Sequence, residues 1–491
     1  MLLLGIDLGT SSIKVSIIDA VTNEKLVSCS YPDEEAAIIS LNPGWAEQDP
    51  ELWWKHTKLA IKKANASGLY NPSDIKAIGI AYQMHGLVVI DKDQRVLRNA
   101  IIWCDSRAVE LGQEAFIKLS EQRFLNTHLN SPGNFTASKL AWVKQNEPLV
   151  YEKIYKFMLP GDYISMRLTG EVNTNISSLS EGILWDFERQ QISDTLLEFY
   201  GIDRSLVPSI QPVFSNYGAL QSEIAADLGL SEQAIVCYKS GDQPNNALSL
   251  NVFDPGEVAA TAGTSGVIYA VSDQRTHDPQ SRVNTFAHVN HASAIERLGV
   301  LLCINGTGIQ NSWISQITGN KNDYERMNAE ASQITIGADG VRILPFGNGA
   351  ERMLNNKTVG AHIENLDFLR HGAAHLWRAS QEGIAFAFRY GLDLLRANGI
   401  TPQVIKAGHA NLFLSPVFQE AFAGITDTPV ELYDNDGSVG AALGAGLGSG
   451  IFSNREEAFK GLKKYKTIIP QHTSRYEQVY GSWKKILEEK L

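Results

Sequence analysis

A glycine turn near the N-terminus has the residue types that bind phosphate. In order, it carries Asp7, Gly9, Thr10, Ser11 and Lys14. Gly9 permits a tight turn whose successive N–H groups can cradle an anion, and the hydroxyl groups and the lysine add donors and charge. Phosphate repels Asp7, but Asp7 can hold Mg²⁺ or its bound waters against the phosphates. The alternative interpretation is a plain β-hairpin with an exposed polar turn.

The same turn recurs in the second half of the chain. Gly263, Thr264 and Ser265 repeat the Gly-Thr-Ser sequence, again between two apolar segments typical of strands. Two such hairpins on domains that face each other can grip one triphosphate. The first copy carries Asp7 where the second has Thr261. We therefore expect a single metal centre, beside the first hairpin.

An aspartate between the two hairpins is a candidate general base. Asp242 follows Gly241 after an apolar-leaning segment, where a side chain can reach into a cleft. Phosphoryl transfer to an alcohol needs positioning, charge stabilisation and a carboxylate that accepts the hydroxyl proton. An aspartate that forms a local turn before Pro244 explains the same residues equally well.

Two further loops contain residues suited to a sugar. Gln83 and His85 can bind hydroxyl groups, and Gly86 allows close approach of the backbone. A lone histidine after a strand is also common as a structural residue, so orientation of a substrate is favoured over catalysis. Trp103 and Asp105 could line a polar pocket, or they could mark the capped start of a helix.

A late glycine segment is a candidate nucleotide contact. Gly408, His409 and Asn411 lie between an expected strand and an expected helix, where N–H groups can approach phosphate or ribose. Other common chemistries lack their motifs, because the sequence contains no Walker GxxxxGK[ST] loop, no GxGxxG after the first strand and no HExxH.

The elements that position these residues alternate between strands and helices, which predicts an α/β fold. The repeated hairpin predicts two related domains, 1–250 and 251–491, with a hinge near 247–256. Expected helices include 51–67, 136–147, 150–170 and 372–398, together with a buried helix rich in small residues from 437 onward. The charged segment 454–491 is expected to be a helical surface appendage.

The amino-acid composition of the chain disfavours some classes of binding partner. Lys and Arg total 43 against 54 Asp and Glu, so the net charge of −11 disfavours nucleic acid and anionic lipid. No stretch has the length of a membrane span, and the apolar start is too short for a signal sequence. The four cysteines are scattered, which predicts reduced, mostly buried thiols and a cytoplasmic protein.

The segments from residue 1 to about 450 resemble the FGGY family of carbohydrate kinases. The resemblance is carried by both hairpins, Gly241–Asp242, the loop 83–86, the segment 42–50 with Trp53 and Trp54, and the stretches 100–103, 135–142, 147–148, 159–163 and 168–170. It implies two ribonuclease-H-like domains of the actin-like ATPase fold, with ATP and a sugar in the cleft between them. It also implies Mg²⁺ as a cofactor and suggests a homodimer.

The resemblance assigns roles to individual residues. Asp242 matches the proton acceptor, Asp7 matches the carboxylate at the metal and phosphates, and Met84 and His85 match the sugar-binding pair. The second phosphate loop corresponds to residues 263–264, and the adenosine segment includes residue 408. The implied reaction transfers the ATP γ-phosphoryl group to the terminal hydroxyl of D-xylulose. Alternatives are a kinase for another ketose, polyol or sugar acid, and a non-catalytic actin-like protein.

Two positions depart from the family pattern. Gln243 stands where the family usually has an asparagine that meets the sugar, so the substrate geometry is expected to differ there. The family's Gly-Gly-Gly-Ala segment is Ala407, Gly408, His409 and Ala410 here. The loss of two glycines predicts a less close approach of this backbone to the nucleotide.

Overall fold

Two large mixed sheets organise the computed structural model, which describes residues 1–434 and 436–491. The first sheet contains β1 Leu2–Leu8, β2 Ile13–Asp19, β3 Lys25–Tyr31, β4 Ile75–Tyr82, β5 Phe214–Ala219 and β6 Ile235–Gly241, in the order β5-β6-β4-β1-β2-β3. The second contains β7 Glu257–Ala262, β8 Gly266–Ser272, β9 Asn284–Ala287, β10 Leu298–Ile304, β11 Val404–Gly408, β12 Val430–Tyr433 and β13 Lys464–Ile468, in the order β9-β10-β8-β7-β11-β12-β13.

Both sheets repeat one topology around a glycine hairpin. In the first sheet β3, β2 and β1 are antiparallel neighbours, and β4 and β6 continue in parallel. In the second sheet β10, β8 and β7 are antiparallel, and β11 and β12 continue in parallel. An antiparallel edge strand, β5 or β13, completes each series. The predicted α/β fold with two related halves is confirmed.

Helices cover both sheets. Those that bear on the site are α1 Pro50–Asn65, α2 Thr136–Asn146, α3 Ile176–Glu181, α4 Asp242–Ser249, α5 Gly308–Ile317, α6 Ala373–Ala397, α7 Pro416–Thr426, α8 Gly437–Gly448 and α9 Thr473–Lys490. The other α-helices are Val109–Lys118, Glu121–His128, Pro148–Tyr151, Pro160–Thr169, Asp194–Tyr200, Ser222–Leu228, Tyr324–Ser332 and Arg455–Phe459. Short strands pair at Glu47–Gln48 with Ala100–Ile101, Val88–Ile90 with Lys156–Met158, Asn173–Asn175 with Ser209–Gln211, Trp185–Asp186 with Gln191–Ile192, and Arg342–Phe346 with Gly360–Glu364.

Local sequence explains where the predicted helices begin and end. The Asp49 side chain accepts a hydrogen bond from the Glu51 N–H, and Pro50 occupies the first turn of α1. The long helix α6 stops before Gly399, which has a φ of +83°. The prediction of a single helix over residues 150–170 is wrong. A strand at 156–158 and Pro160, at the first turn of a new helix, divide that segment.

Helix α8 belongs to the second half of the chain but packs against the first sheet. A Cβ at Gly5 would collide with the carbonyl oxygen of Ser438, and a Cβ at Gly79 would collide with that of Ala441. Glycine in the strands and small residues in the helix therefore permit this close packing. The buried small-residue helix is confirmed, although a simple division at 250/251 does not describe the packing of α8.

Two other expectations are wrong. The segment 454–491 is not an appendage, because β13 extends the second sheet and α9 buries Tyr476, Trp483 and Leu487 in the core of the second half. The cysteines are unpaired as expected, but Cys104 and Cys303 are exposed. Among the described residues, no helix combines the length and apolarity needed to cross a membrane.

Candidate active site

Asp242 begins a helix at the carboxyl end of a central strand. Strand β6 ends at Gly241, and Asp242 is the first residue of α4. Burial, together with a smaller contribution from the Asp7 charge, raises the pKa of the Asp242 carboxyl to about 7. Interactions with the backbone and side chain of the half-buried Gln243 oppose this rise. A carboxylate with a pKa near neutrality suits a general base.

Asp7 lies near the end of β1, where α8 begins. The Asp7 carboxylate is so close to Gly437 that a Cβ at 437 would collide with it. The pKa of Asp7 is raised to about 6, mainly by burial and also by the Asp436 charge, while Lys14 opposes the rise. Lys14 is paired with Asp436 at 2.5 Å, so this lysine, which the sequence predicts to bind phosphate, already has an anionic partner.

Helix α4 donates hydrogen bonds near both hairpins. Asn245 donates a hydrogen bond of 2.9 Å to the carbonyl oxygen of Gly437, beside Asp7. Asn246, one residue later, donates a hydrogen bond of 3.2 Å to the Thr261 hydroxyl on the second hairpin. The helix that starts with Asp242 thus contacts the surroundings of both predicted phosphate loops.

The first hairpin is joined to the predicted sugar loop through Thr10. The Gly9 N–H donates to the Ser12 carbonyl oxygen at 3.1 Å, which closes the turn, and Ser11 is exposed. Trp103 Nε1 donates to Thr10 Oγ1 at 3.0 Å, and Thr10 Oγ1 donates to Gln83 Oε1 at 3.3 Å. Thr10, Gln83 and Trp103 therefore form one polar cluster.

Met84 and His85 follow β4 and meet the Asp242 segment. A Cβ at Gly241 would lie 2.6 Å from Met84 Cγ, so this glycine allows the two loops to touch. His85 adopts a φ of +62°, which is uncommon for a residue with a side chain. Its Nδ1 lies 3.0 Å from the Glu181 carbonyl oxygen, and a carbonyl can only accept, so Nδ1 carries the proton.

The His85 ring is neutral and closely packed. Phe135 contacts the ring edge-on at 4.7 Å, and Phe286 of β9 lies at 5.3 Å. Burial is the largest cause that lowers the pKa of His85, and together with the charges of Lys139 and Arg352 it brings the pKa to about 3. Since Nδ1 donates and the ring is neutral, Nε2 is left as an acceptor for a donor from a ligand.

Asp105 has no accessible surface in this structure. One of its oxygens accepts the Ala46 N–H at 2.6 Å, and its carboxylate is paired with Arg107 at 2.7 Å. Arg107 also pairs with Glu47 and lies 3.9 Å from the Trp45 ring. The predicted substrate-binding role of Asp105 therefore has no direct geometric support, and Asp105 instead supports the loop that carries the exposed Trp103.

A cavity of about 550 Å³ adjoins the second hairpin. Its lining includes Gly263, Thr264 and Asn411, three of the predicted nucleotide residues. It also includes Gly308, Ile309, Asn311, Ser312, Tyr324, Asn328, Leu412 and Ser415. A Cβ at Gly308 would collide with the Gly263 carbonyl oxygen, so the first turn of α5 lies directly on the hairpin. The volume and mixed lining suit a small ligand such as a nucleoside.

The other predicted nucleotide residues of the second half, Gly408, His409 and Ser265, are not among the residues that line this cavity. Gly408 ends β11, and Asn411 begins a 3-10 turn with a φ of +54°. His409 is exposed, and its ring lies 4.7 Å from that of Tyr465. Ser265 is exposed at the tip of the second hairpin.

Sequence reasoning missed several residues that border the site. Lys139 is fully buried and donates to the carbonyl oxygens of His85 at 2.8 Å and Ile102 at 2.9 Å. Burial raises the pKa of Glu181 well above its usual value, and its carboxyl lies against Gly241. The pair Gly306 and Gly308 before a helical pattern was a usable signal for the nucleotide cavity. Single buried charges such as Lys139 and Glu181 offer no such signal.

The site joins two glycine hairpins, a partly buried carboxylate and a polar loop across two repeated α/β halves, an arrangement suited to phosphoryl transfer. Family models match the chain at residues 2–249, as the N-terminal domain, and at 258–448, as the C-terminal domain, of the FGGY family of carbohydrate kinases. The chain belongs to this family, so it is a carbohydrate kinase.

Individual proteins and crystal structures similar to this chain are also carbohydrate kinases. The chain is 32% identical over 472 residues to a xylulose kinase of Escherichia coli (strain K12), covering 96% of this chain and 94% of the relative. Two crystal structures superpose over the whole chain. One, from Brucella ovis, is described as a xyloylose kinase (27% identity, TM-score 0.89), and the other is a xylulose kinase from Rhodospirillum rubrum (25% identity, TM-score 0.88). In both cases 100% of this chain and 99% of the other chain are covered.

Proposed function

We propose that this kinase transfers the γ-phosphoryl group of ATP to the terminal hydroxyl group of D-xylulose. The observation that carries the proposal is Asp242, a carboxyl with a pKa of about 7 at the start of α4, which contacts the surroundings of both hairpins. The names of the Escherichia coli, Brucella ovis and Rhodospirillum rubrum relatives support the choice of sugar. The proposed division of labour assigns sugar binding and the first phosphate loop to residues 1–250, and nucleotide binding and the second phosphate loop to residues 251–491.

In this mechanism Asp242 accepts the proton of the sugar hydroxyl group. The hydroxyl oxygen bonds to the γ-phosphorus of ATP, and the bond from that phosphorus to ADP breaks, so that ADP leaves. Met84 and the neutral His85 orient the sugar, with Nε2 of His85 accepting from one of its hydroxyl groups. Gln243, beside the base, contacts the same sugar. The cluster of Gln83, Thr10 and Trp103 links sugar position to the first hairpin.

The nucleotide is proposed to lie along the two hairpins. Backbone N–H groups around Gly9 and Gly263 are suited to phosphate oxygens. The hydroxyl groups of Ser11, Thr264 and Ser265 can add donors, and the cavity beside the second hairpin suits the nucleoside, near residues 408–411. Lys14 contributes positive charge to the first hairpin even though it is paired with Asp436.

A magnesium ion fits the carboxylates that are present. Among residues 1–434 and 436–491 no group of three or more metal-binding side chains occurs. Mg²⁺ in kinases typically uses one or two carboxylates together with waters and substrate phosphates. Asp7, whose charge also influences Asp242, would hold it, and the ion would neutralise charge on the phosphates.

Free cysteines support a cytoplasmic enzyme, and the family resemblance suggests a homodimer.

A coupled ADP-release assay tests this function. D-xylulose, other pentuloses, hexoses, polyols and sugar acids are compared at saturating ATP and Mg²⁺, with a no-sugar control for ATP hydrolysis. We expect the highest kcat/KM with D-xylulose. Lack of turnover with D-xylulose but turnover with another sugar would retain the kinase and reject this substrate. Lack of turnover with every sugar would reject the catalytic assignment.

A further inference from the structure

Arg352 extends from the second half of the chain toward the loop proposed to bind the sugar. It begins a 3-10 turn, Arg352–Leu354, between the strands Arg342–Phe346 and Gly360–Glu364. Its guanidinium carbon lies 6.0 Å from the centre of the Phe135 ring, which belongs to the first half. That ring in turn packs against His85 at 4.7 Å. One aromatic ring therefore separates Arg352 from a proposed sugar-binding residue.

The backbone of Arg352 is held in place from two sides. Glu351 is fully buried, and both of its oxygens accept the Asn305 N–H, at 3.0 and 3.2 Å. Met353 and Leu354 are buried in the core of the second half. A turn fixed by a buried carboxylate and two buried apolar side chains presents the intervening arginine in one direction.

Strand β9 fixes this region of the second half against the sugar loop. The Ala287 N–H donates to the Ser180 hydroxyl at 2.9 Å, and the Ser177 hydroxyl donates to the Ala287 carbonyl oxygen at 3.0 Å. Phe286 on the same strand packs against His85. Arg352 itself donates to the carbonyl oxygen of Ser281, three residues before β9, at 3.4 Å. The approach of Arg352 to His85 is therefore built into the contact between the halves.

Arg352 has no carboxylate partner within the part of the chain that the structure describes. Other arginines with little exposure are paired, such as Arg107 with Asp105 and Glu47, and Arg378 with Glu382. The single long hydrogen bond to Ser281 leaves most of the five guanidinium donors of Arg352 available. Burial lowers the pKa of Arg352, but an arginine remains charged in proteins. A partly buried cation without an internal partner favours a ligand with exposed oxygen atoms.

The charge of Arg352 acts on the sugar side of the site rather than on the phosphate side. It lowers the pKa of His85 and opposes the rise in the pKa of Cys303, which also responds to Asp242. The pKa of Asp7, in contrast, responds to Asp436 and Lys14. The Arg352 charge therefore reaches His85, on the side of the site proposed to bind the sugar, whereas the pKa of Asp242 responds to Asp7.

We propose that Arg352 is a sugar-binding, specificity-determining residue through which the second half of the chain contacts the substrate. The guanidinium donates hydrogen bonds to hydroxyl or keto oxygens of the sugar that is bound by His85 and Asp242. This inference rests on the proposed function and extends it, because the sugar then bridges both halves rather than binding to the first alone. Sugars that lack an oxygen at the Arg352 end would bind more weakly.

Calorimetric titration of two variants tests the proposal. Arg352→Gln removes the charge, and Arg352→Lys keeps the charge but loses the planar fork. Arg475→Gln is the matched control, because Arg475 is exposed in the same half and also lacks an ion pair among the described residues. D-xylulose and ADP are titrated separately into each full-length protein.

We expect Arg352→Gln to raise the Kd for D-xylulose by about 10- to 100-fold, the range of a hydrogen bond to a charged group. Arg352→Lys should fall between Arg352→Gln and the wild type, and ADP binding should be unchanged in all variants. An unchanged Kd for D-xylulose would overturn the proposal, as would an equal loss of ADP affinity. If Arg352→Gln does not fold, as judged by ADP binding, Arg352→Lys decides the same question.

The wild-type titration separates this proposal from the proposed function. Wild-type protein that neither binds nor phosphorylates D-xylulose contradicts the proposed substrate and leaves the role of Arg352 to be measured with the best sugar of the assay panel. With that sugar, a selective loss of affinity in Arg352→Gln supports the contact, and unaltered affinity rejects it.

Discussion

The Asp7 carboxylate raises the pKa of Asp242, although Asp7 lies in a strand of the first sheet, one residue before its end, and Asp242 starts helix α4. Burial is the larger cause of the rise, and together the two effects bring the Asp242 pKa to about 7. The proposed base and the proposed metal-binding residue therefore share one electrostatic environment. Whatever neutralises the Asp7 charge lowers the pKa of Asp242. Nucleotide binding that neutralises Asp7 would therefore favour the ionised form of Asp242, which is the form that can accept a proton.

Replacing Asp242 tests its role as the base. We expect Asp242→Ala to lower kcat by about 10²- to 10⁴-fold, the usual contribution of a general base, while ADP binding remains intact. Turnover is measured by ADP release and binding by calorimetry. Asp273→Ala, which removes an exposed aspartate of the second half, serves as the control. Near-normal turnover in Asp242→Ala would mean that another group accepts the proton.

His85 should remain neutral throughout the physiological range, because its pKa is about 3. We expect its ring resonances, assigned in a histidine-labelled sample by comparison with His85→Gln, to stay constant between about pH 5 and 8. Arg352→Gln should raise the pKa of His85, because the Arg352 charge is one cause of its decrease. A titration near the ordinary value of 6.5 would contradict the neutral acceptor.

The same pKa also predicts how stability depends on pH. Since the folded-state pKa of His85 lies below that of the unfolded chain, the unfolded state binds the proton first as pH falls. His85 therefore destabilises the fold progressively as pH falls from about 6.5 toward 3. His85→Gln should show a weaker loss of unfolding free energy over that interval than the wild type, measured by urea denaturation at several pH values. Parallel curves would contradict this prediction.

Lys139 should position His85 through the backbone. Its ammonium group donates to the His85 carbonyl oxygen, at a residue held at a φ of +62°. Lys139→Met leaves two buried carbonyl acceptors, of His85 and Ile102, without this donor, at about 1–3 kcal/mol each. We expect lower stability and a raised KM for the sugar, with the KM for ATP unchanged. Lys118→Met, at an exposed lysine, is the control, and a folded Lys139→Met with wild-type sugar KM would reject the positioning role.

Sequence patterns predicted best where several neighbouring residues carry one signal. The two hairpins combine glycine, hydroxyl groups and flanking apolar strands, and their recurrence predicted the repeated sheets. Asp105 shows the limit of such reasoning, because the same segment also contains Arg107, which binds the carboxylate internally. Lys139, Glu181 and Arg352 obtain their surroundings from residues far away in the chain. Nothing next to them in the sequence marks that environment.

The C-terminal segment was misinterpreted for a related reason. Its charged residues suggested a surface helix, although one face of that helix is apolar, at Tyr476, Val479, Tyr480, Trp483 and Leu487. In the structure Trp483 is fully buried, and its Nε1 donates to the Ile343 carbonyl oxygen at 2.8 Å. Phe386 of α6 lies 6.0 Å from its ring. Helix α9 therefore completes the core of the second half.

Truncating Trp483 should reveal this contribution to stability. We expect Trp483→Ala to lower the free energy of unfolding by about 3–5 kcal/mol, because a large buried ring is replaced by a cavity and the Ile343 carbonyl loses its donor. Lys485→Ala, on the exposed side of α9, should change it by less than about 0.5 kcal/mol. Urea denaturation followed by fluorescence measures both. Equal, small effects of the two substitutions would show that α9 contributes little to the fold, as the sequence pattern had indicated.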